Sequence, residues 1–450
     1  MTKFWQLFLI IIVVLTAYGN IFTNQFVIDD RYFIQEWSLT RNFTNVGKLL
    51  AGVNPESQPG VYRPLRSLLY LAYYNLWGAN PIGYHLHSLL VHLTSTILVY
   101  FIVKSLIPNS YWLPFTASLL FGLHPIHTES ITYIAASMEM TGVVFFLATF
   151  FTYLKNKRFL TVFFALLAFF TYEMTLTLPF LLGLYELTLG KKNWKKIWPA
   201  AISAASYLFI RIGVLGISPA RGDYLAYSFY HTQLTMVKMW VKYLWLLIWP
   251  VNLSHNQTVV PGFEAFMTPY SDLNAILSQK PFDLSILLSI SVIFGLIFIA
   301  VKLRKIYPSV IFAIGWFFIS LLPVAYFLPQ GTAFAEKYLY IASFGFVLLL
   351  AFGLNKLGKK WKKLGIIIIV VVTVFYTGRT IMRNQNWQNP QTLWEHEAQI
   401  HPQSELAFYN LGIIYSQKGE KSKAVEAYKK ALLLKPKFWQ AQNNLNNLLK

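Results

Sequence analysis

Long apolar runs broken by short polar segments fill the first 382 positions of the chain. Runs long enough for a helix to cross a hydrocarbon core lie near 4–21, 83–103, 111–127, 131–154, 197–217, 284–301, 308–328, 337–355 and 364–382, since such a crossing takes roughly 17–25 apolar residues. The stretch 159–189 is too long for one crossing and carries basic residues at both ends. It reads as a hairpin of two short helices with Tyr172-Glu173 at the tip. About eleven spans result. One apolar stretch, 232–250, is left over. Basic clusters before and after it demand an even number of crossings, which 197–217 and 284–301 already supply. With Lys238 and Lys242 inside it, 232–250 is expected to lie in the membrane interface. The first run, behind Lys3, is expected to be an uncleaved anchor rather than a removed leader.

Beyond Glu405 the pattern becomes amphipathic. Phe408, Leu411, Gly412, Tyr415, Ala424, Tyr428, Ala431 and Pro436 occupy the signature positions of a tetratricopeptide repeat over about 405–438. Trp394 and Pro402 match the second half of a preceding unit, and 439–449 reads as a capping helix. So short an array is expected to pack on the membrane part. The chain therefore divides into a membrane domain, 1–383, with a long outer loop at 22–82, and a repeat domain, 384–450. The fold class is all-α: a polytopic membrane bundle followed by a short tetratricopeptide-repeat domain.

Composition agrees, with 56% hydrophobic and 12% charged residues, which a soluble domain of this length does not show. The net charge of +20 is not gathered into one patch. It falls in clusters such as Lys191/Lys192/Lys195/Lys196 and Lys359/Lys360/Lys362/Lys363 between apolar runs. That is the positive-inside pattern, so a nucleic-acid role is excluded and these loops are assigned to the cytoplasm. The N-terminus is then inside and the repeat outside. Cysteine is absent, which removes disulfides, thiolate metal sites and cysteine nucleophiles. The acidic residues Asp29, Asp30, Glu36, Glu56, Glu129, Glu173, Asp223, Glu264, Asp272 and Glu336 all map to the outer face. Because acidic residues barely steer insertion, the asymmetry suits a polar reaction chamber on that face. Three sequons, at Asn42, Asn252 and Asn256, fall on the same side.

Asp29-Asp30 follows the first span by about ten residues, and charges so near the hydrocarbon mark a functional site. Arg63, before Pro64, and Lys337, beside Glu336, are candidate anion-binding cations. His124, His127 and Glu129 carry metal-ligand atoms. Their spacing across Pro125 does not put all three on one helical face, so a hydrogen-bonded knot is expected and no metal. Glu139 and Glu173 lie at or near membrane depth and should face the interior.

Several segments together resemble the transmembrane and tetratricopeptide-repeat O-mannosyltransferases, a family of GT-C glycosyltransferases. They are Phe26-Val27-Ile28-Asp29-Asp30, Tyr62-Arg63-Pro64-Leu65, His124-Pro125-Ile126-His127-Thr128-Glu129, Tyr172-Glu173, Glu336-Lys337-Tyr338-Leu339-Tyr340 with Ser343, and Asn386-Trp387 leading to Trp394. The order is kept along nearly the whole chain. Two departures stand out: the repeat array is short, and Tyr172 occupies the place of a customary Lys. The resemblance implies inverting transfer of a sugar, typically mannose, from a polyprenyl-phosphate donor to a protein Ser or Thr hydroxyl. It implies Asp29 as the base, with Asp30 positioning the acceptor or tuning Asp29. Arg63, His124, His127, Glu129, Glu173, Glu336 and Lys337 would hold the donor phosphate or substrate. Expected partners are the lipid-linked donor, the bilayer, and a protein or peptide acceptor docked through the repeat. No cofactor is expected. The location implied is a prokaryotic plasma membrane, or the endoplasmic reticulum in a eukaryote. The competing reading is a membrane-anchored repeat scaffold without catalysis. A transporter would want internal symmetry between halves, which the chain lacks.

Overall fold

The computed structural model describes residues 2–54, 60–218, 220, 222–225, 228–255, 258–260, 263–264, 284–329, 332 and 334–450. Glu56, Asn256 and Asp272 lie outside the described residues. The helices in chain order are α1 (Lys3–Tyr18), α2 (Val46–Leu50), α3 (Pro64–Trp77), α4 (Pro81–Leu106), α5 (Leu113–Leu123), α6 (Thr128–Thr132) and α7 (Ile134–Leu154). Next come α8 (Arg158–Thr171), α9 (Leu178–Thr188), α10 (Trp198–Leu208), α11 (Phe229–Ile248), α12 (Leu284–Leu303) and α13 (Pro308–Ser320). The chain ends with α14 (Leu339–Lys360), α15 (Lys362–Asn386), α16 (Pro390–Ile400), α17 (Glu405–Gln417), α18 (Lys421–Leu434) and α19 (Trp439–Leu449). Thr258–Val260 and Phe263–Glu264 pair as a short antiparallel ribbon. The architecture is all-α, as the apolar periodicity predicts.

Six helical segments are long and apolar enough to cross a membrane among the described residues: Lys3–Thr23, Pro81–Leu106, Ile134–Leu154, Leu284–Leu303, Glu336–Lys360 and Lys362–Asn386. Leu113–Leu123, Arg158–Thr171, Trp198–Val214 and Pro308–Val324 are apolar but shorter. Six of the eleven crossings expected from hydropathy are thus single helices of sufficient length. Short helices such as α5 and α8 leave part of their apolar run to turns around buried polar groups. Two short helices, α8 and α9, do fill 159–189 with Tyr172-Glu173 between them, but α8 packs mainly on α7 and α10, and α9 mainly on α13.

Helix α4 packs against both α5 and α7, α8 folds back along α7, and α13 bridges α9 and α14. Helices α1 and α15 close the far side of α5. Polar residues on these faces pair across helices, as burial away from water requires. Ser88 donates to Ser137 at 2.7 Å, and Tyr153 donates to Glu186 at 2.7 Å. Where α13 and α14 cross, Gly345 admits the neighbouring backbone. A Cβ there would stand 2.3 Å from the Ala313 carbonyl oxygen. Close approach of this kind requires glycine. Gly345→Ala is expected to destabilise the bundle by about 1–3 kcal/mol through overpacking. A thermal midpoint in detergent equal to that of the wild type would contradict this.

Alternation of chain direction brings one set of helix ends together. Asn24, after α1, donates to Asn384 near the end of α15, and His85, at the start of α4, meets Asn24. Thr132, before α7, donates to Asn384 at 2.6 Å. In the C-terminal part, α17 and α18 form the antiparallel pair expected of the repeat. Phe408, Leu411, Ala424, Tyr428 and Ala431 are buried between them. A Cβ at Gly412 would meet the Tyr428 ring at 2.5 Å, which accounts for that signature glycine. Asn389 and Thr392 form a capping box at the start of α16, with Pro390 in the first turn.

Candidate active site

The two neighbouring aspartates have different surroundings. Asp30 is 1% exposed, and its carboxylate accepts the Ala135 N–H at 2.7 Å and the Val27 N–H at 3.2 Å. It thereby staples the loop after α1 to the first turn of α7, where a carboxylate also complements the helix dipole. Burial pushes the Asp30 carboxyl well above the ordinary range, against the pull of these backbone donors. Ile28, just before the pair, has φ +48°, a left-handed conformation costly for a β-branched residue. Asp29 is half-buried, within hydrogen-bonding reach of the Tyr133 hydroxyl.

Across Tyr70 lies a centre of charge. Arg63 caps α3 and pairs with both Glu139 and Glu173, its Nη2 donating to Glu173 at 2.8 Å. Arg66, one turn on, donates to Glu139 at 3.2 Å, and Lys337 Nζ reaches the other Glu139 oxygen at 3.1 Å. Three cations thus surround two carboxylates, leaving one net positive charge. The Arg63 guanidinium also lies 5.1 Å from the Tyr172 ring centroid, so the tyrosine at this departure from the family pattern supplies a cation–π contact. Burial raises the Tyr70 phenol pKa well above its usual value. Arg66 opposes the shift, while Asp30, Glu139 and Asp29 add to it. One tyrosine therefore feels both the aspartate pair and the charge centre.

A second layer supports Lys337. Its backbone N–H donates to Glu129 at 3.0 Å, and the other Glu129 oxygen meets His255 Nδ1 at 3.0 Å. Glu336 does not pair with its neighbour Lys337. It accepts the Ser254 N–H at 2.6 Å and stands 3.9 Å from Arg383. Ser254 and His255 are held in turn by Glu397 of α16, which accepts the His255 N–H at 2.9 Å and the Ser254 hydroxyl. Ser254, the third residue of a sequon, is fully buried.

His124 and His127 lie apart from these carboxylates, in an aromatic pocket. His124 Nε2 meets the Leu247 carbonyl at 2.9 Å, and His127 Nε2 meets Ser343 Oγ at 2.8 Å. Their rings contact Tyr376, Phe121 and Tyr340. Among the described residues no group of three or more histidines and carboxylates is arranged to hold a metal ion. Glu129 turns away from the histidines toward His255 and Lys337.

Of the residues singled out in the sequence, Arg63, Glu173, Glu129, Glu336 and Lys337 thus belong to one hydrogen-bonded network. Glu139, readable as an intramembrane carboxylate, is its hub. Arg66, His255, Arg383 and Glu397 carry no such local mark, although Arg66 follows Arg63 at helical spacing.

A tetratricopeptide-repeat family model matches residues 406–438. Over a longer stretch the chain is similar to a protein O-mannosyl-transferase of Caenorhabditis elegans, at 25% identity over 393 residues covering 84% of this chain and 54% of that protein. Protein O-mannosyl-transferase TMTC3 of Homo sapiens is 24% identical over 435 residues, 86% of this chain and 46% of its own. Protein O-mannosyl-transferase TMTC4 of Homo sapiens is 24% identical over 498 residues, 94% and 66% respectively. The chain spans about half the length of the first curated relatives it matches. No solved structure matches it. Over most of its length the chain is therefore similar to the TMTC protein O-mannosyl-transferases, and its C-terminal region carries a tetratricopeptide repeat.

Proposed function

We propose that this chain is an inverting glycosyltransferase that moves mannose from a polyprenyl-phosphate donor to a Ser or Thr hydroxyl of a protein on the extracytoplasmic face. One observation carries the reading: Asp29, half-buried, and the Arg66–Glu139 pair of the charge centre act on the same side chain, Tyr70, and Glu139 is shared with Arg63 and Lys337. A base close to a phosphate-complementary centre is what this transfer needs. The names of the similar proteins support a mannosyl transfer to protein. The acceptor hydroxyl gives its proton to Asp29 as its oxygen attacks the anomeric carbon. The bond from that carbon to the phosphate oxygen breaks on the opposite face, and the polyprenyl phosphate leaves with the bonding electrons. Negative charge growing on that phosphate is met by the net positive charge around Glu139. Glu129, Glu139, Glu173 and Glu336 hold the cations and the turn into α14 in place. His124 and His127 pack the aromatic pocket apart from these carboxylates, and the repeat is the dock for the protein acceptor.

Lys337 is the most accessible of the three cations, with its side chain 21% exposed against 9% for Arg63 and 1% for Arg66. It is the one able to turn from Glu139 to a phosphate. Lys337→Met keeps the stem and leaves Glu139 two arginines. It is expected to raise the donor KM about tenfold or more, from ~1.5–3 kcal/mol for a charged hydrogen bond. An unchanged donor KM would remove Lys337 from phosphate binding. The reading as a whole is tested by incubating the purified protein with labelled polyprenyl-phosphate mannose and Ser/Thr-containing protein acceptors. Transfer supports it. No transfer from this or any other lipid-linked sugar would favour the membrane-anchored scaffold.

A further inference from the structure

The dipeptide Ser254-His255 touches both arms of the proposed site and is itself suspended from the C-terminal helices. On one side His255 Nδ1 meets Glu129, whose second oxygen holds the Lys337 N–H, while the Ser254 N–H holds Glu336. The turn Glu336–Tyr338 that leads into α14 and carries the accessible cation is therefore fixed at two consecutive residues. On the other side the His255 ring packs edge-on against Tyr133 at 5.9 Å, and Tyr133 reaches Asp29. Trp387 and Trp394 confine the same ring at 5.4 and 6.5 Å. Since a carboxylate only accepts, Nδ1 carries the proton toward Glu129, which fixes the tautomer. What holds the dipeptide is the buried carboxylate of Glu397, accepting from the Ser254 hydroxyl and the His255 N–H.

We propose that Glu397 is a positioning residue: by clamping Ser254-His255 it sets the distance between the Asp29 base and the Lys337 cation. The helix that opens the C-terminal segment is then an integral part of the site rather than only a dock beside it. This rests on the transferase reading for its kinetic consequence, though not for its structural one. Glu397 acts through other residues and touches no substrate. Removing it leaves the charge on Lys337 and the carboxylate on Asp29 intact but lets their spacing drift. Drift of this kind lowers the rate of the chemical step more than donor binding.

The test compares Glu397→Ala and Glu397→Gln in the full chain, with His255→Leu and His255→Asn as an independent pair. Glu397→Ala and His255→Leu are expected to lower kcat about tenfold or more while the donor KM moves less than about threefold. Gln at 397 keeps an acceptor oxygen, and Asn at 255 keeps a donor near Nδ1, so each is expected to recover most of the rate. A kcat per folded molecule unchanged in the Ala and Leu variants, with only the melting temperature lowered, overturns the proposal and leaves Glu397 an anchor. Hydrogen exchange gives a readout that needs no activity. In Glu397→Ala the Lys337 amide should lose protection together with those of Ser254 and His255. Loss confined to 254–255 overturns the coupling even if the wild type proves to transfer nothing. Coupled loss in an inactive wild type would sink the transferase reading alone.

Discussion

Asp29→Asn is expected to lower mannosyl transfer by about 10²–10⁴-fold, the range for loss of a general base, with little change in thermal stability. Asn keeps the shape of the side chain and an oxygen for the Tyr133 hydroxyl, but it cannot take a proton from the acceptor. Asp29 is half-buried, and it is Asp30 whose carboxylate holds the backbone N–H groups of Val27 and Ala135, so the fold does not depend on the charge of Asp29. The neighbouring Asp30→Asn should behave in the opposite way. Its amide group would turn an N–H toward the N–H of either Val27 or Ala135, and that mismatch costs about 1–3 kcal/mol of stability. The measurement is transfer rate against thermal midpoint for both variants in one detergent. Asp29→Asn with activity within tenfold of the wild type would eliminate Asp29 as the base.

The largest stability loss is expected at Glu139. Its carboxylate is shared by Arg63, Arg66 and Lys337, and both arginines are buried. Glu139→Ala leaves Arg66 without this acceptor and Arg63 with Glu173 alone. Breaking one side of a buried ionic cluster typically costs about 3–5 kcal/mol, mostly because the remaining charge stays desolvated. Glu139→Gln keeps an acceptor oxygen and should lose less. Replacing both members in Glu139→Leu with Arg66→Leu should recover part of the loss, since the unpaired charge goes with its partner. Thermal midpoints decide the matter. A Glu139→Ala protein within about 1 kcal/mol of the wild type would show that the cluster is solvated or dispensable.

These two sites also mark how far the sequence could be read. Asp29-Asp30 was visible as an acidic pair at a membrane boundary, and Glu139 as a carboxylate inside an apolar run. The division of labour within the aspartate pair was not visible, because it depends on which oxygen finds Ala135 at the start of a helix 105 residues away. Hydropathy also does not show that a run such as 111–127 breaks into a short helix and a turn, since apolar composition leaves no mark at the break. His124 and His127 were linked to Glu129 by proximity in the chain, yet the turn at Pro125 sends them to an aromatic pocket and Glu129 to Lys337.

The sequence alone determined the all-α character, the two short helices within 159–189, the repeat around Gly412 and Tyr428, and most carboxylates and cations of the site. All of these follow from short-range periods of hydrophobicity and from the energetic cost of a charge near hydrocarbon. Only the tertiary structure decided the pairings: Lys337 with Glu139 and not Glu336, His255 with Glu129, and Glu397 with a loop 142 residues earlier. A buried polar group must find a partner, but its own sequence neighbourhood does not say which. That choice is made by whichever distant helix end the packing of the bundle brings within hydrogen-bonding distance.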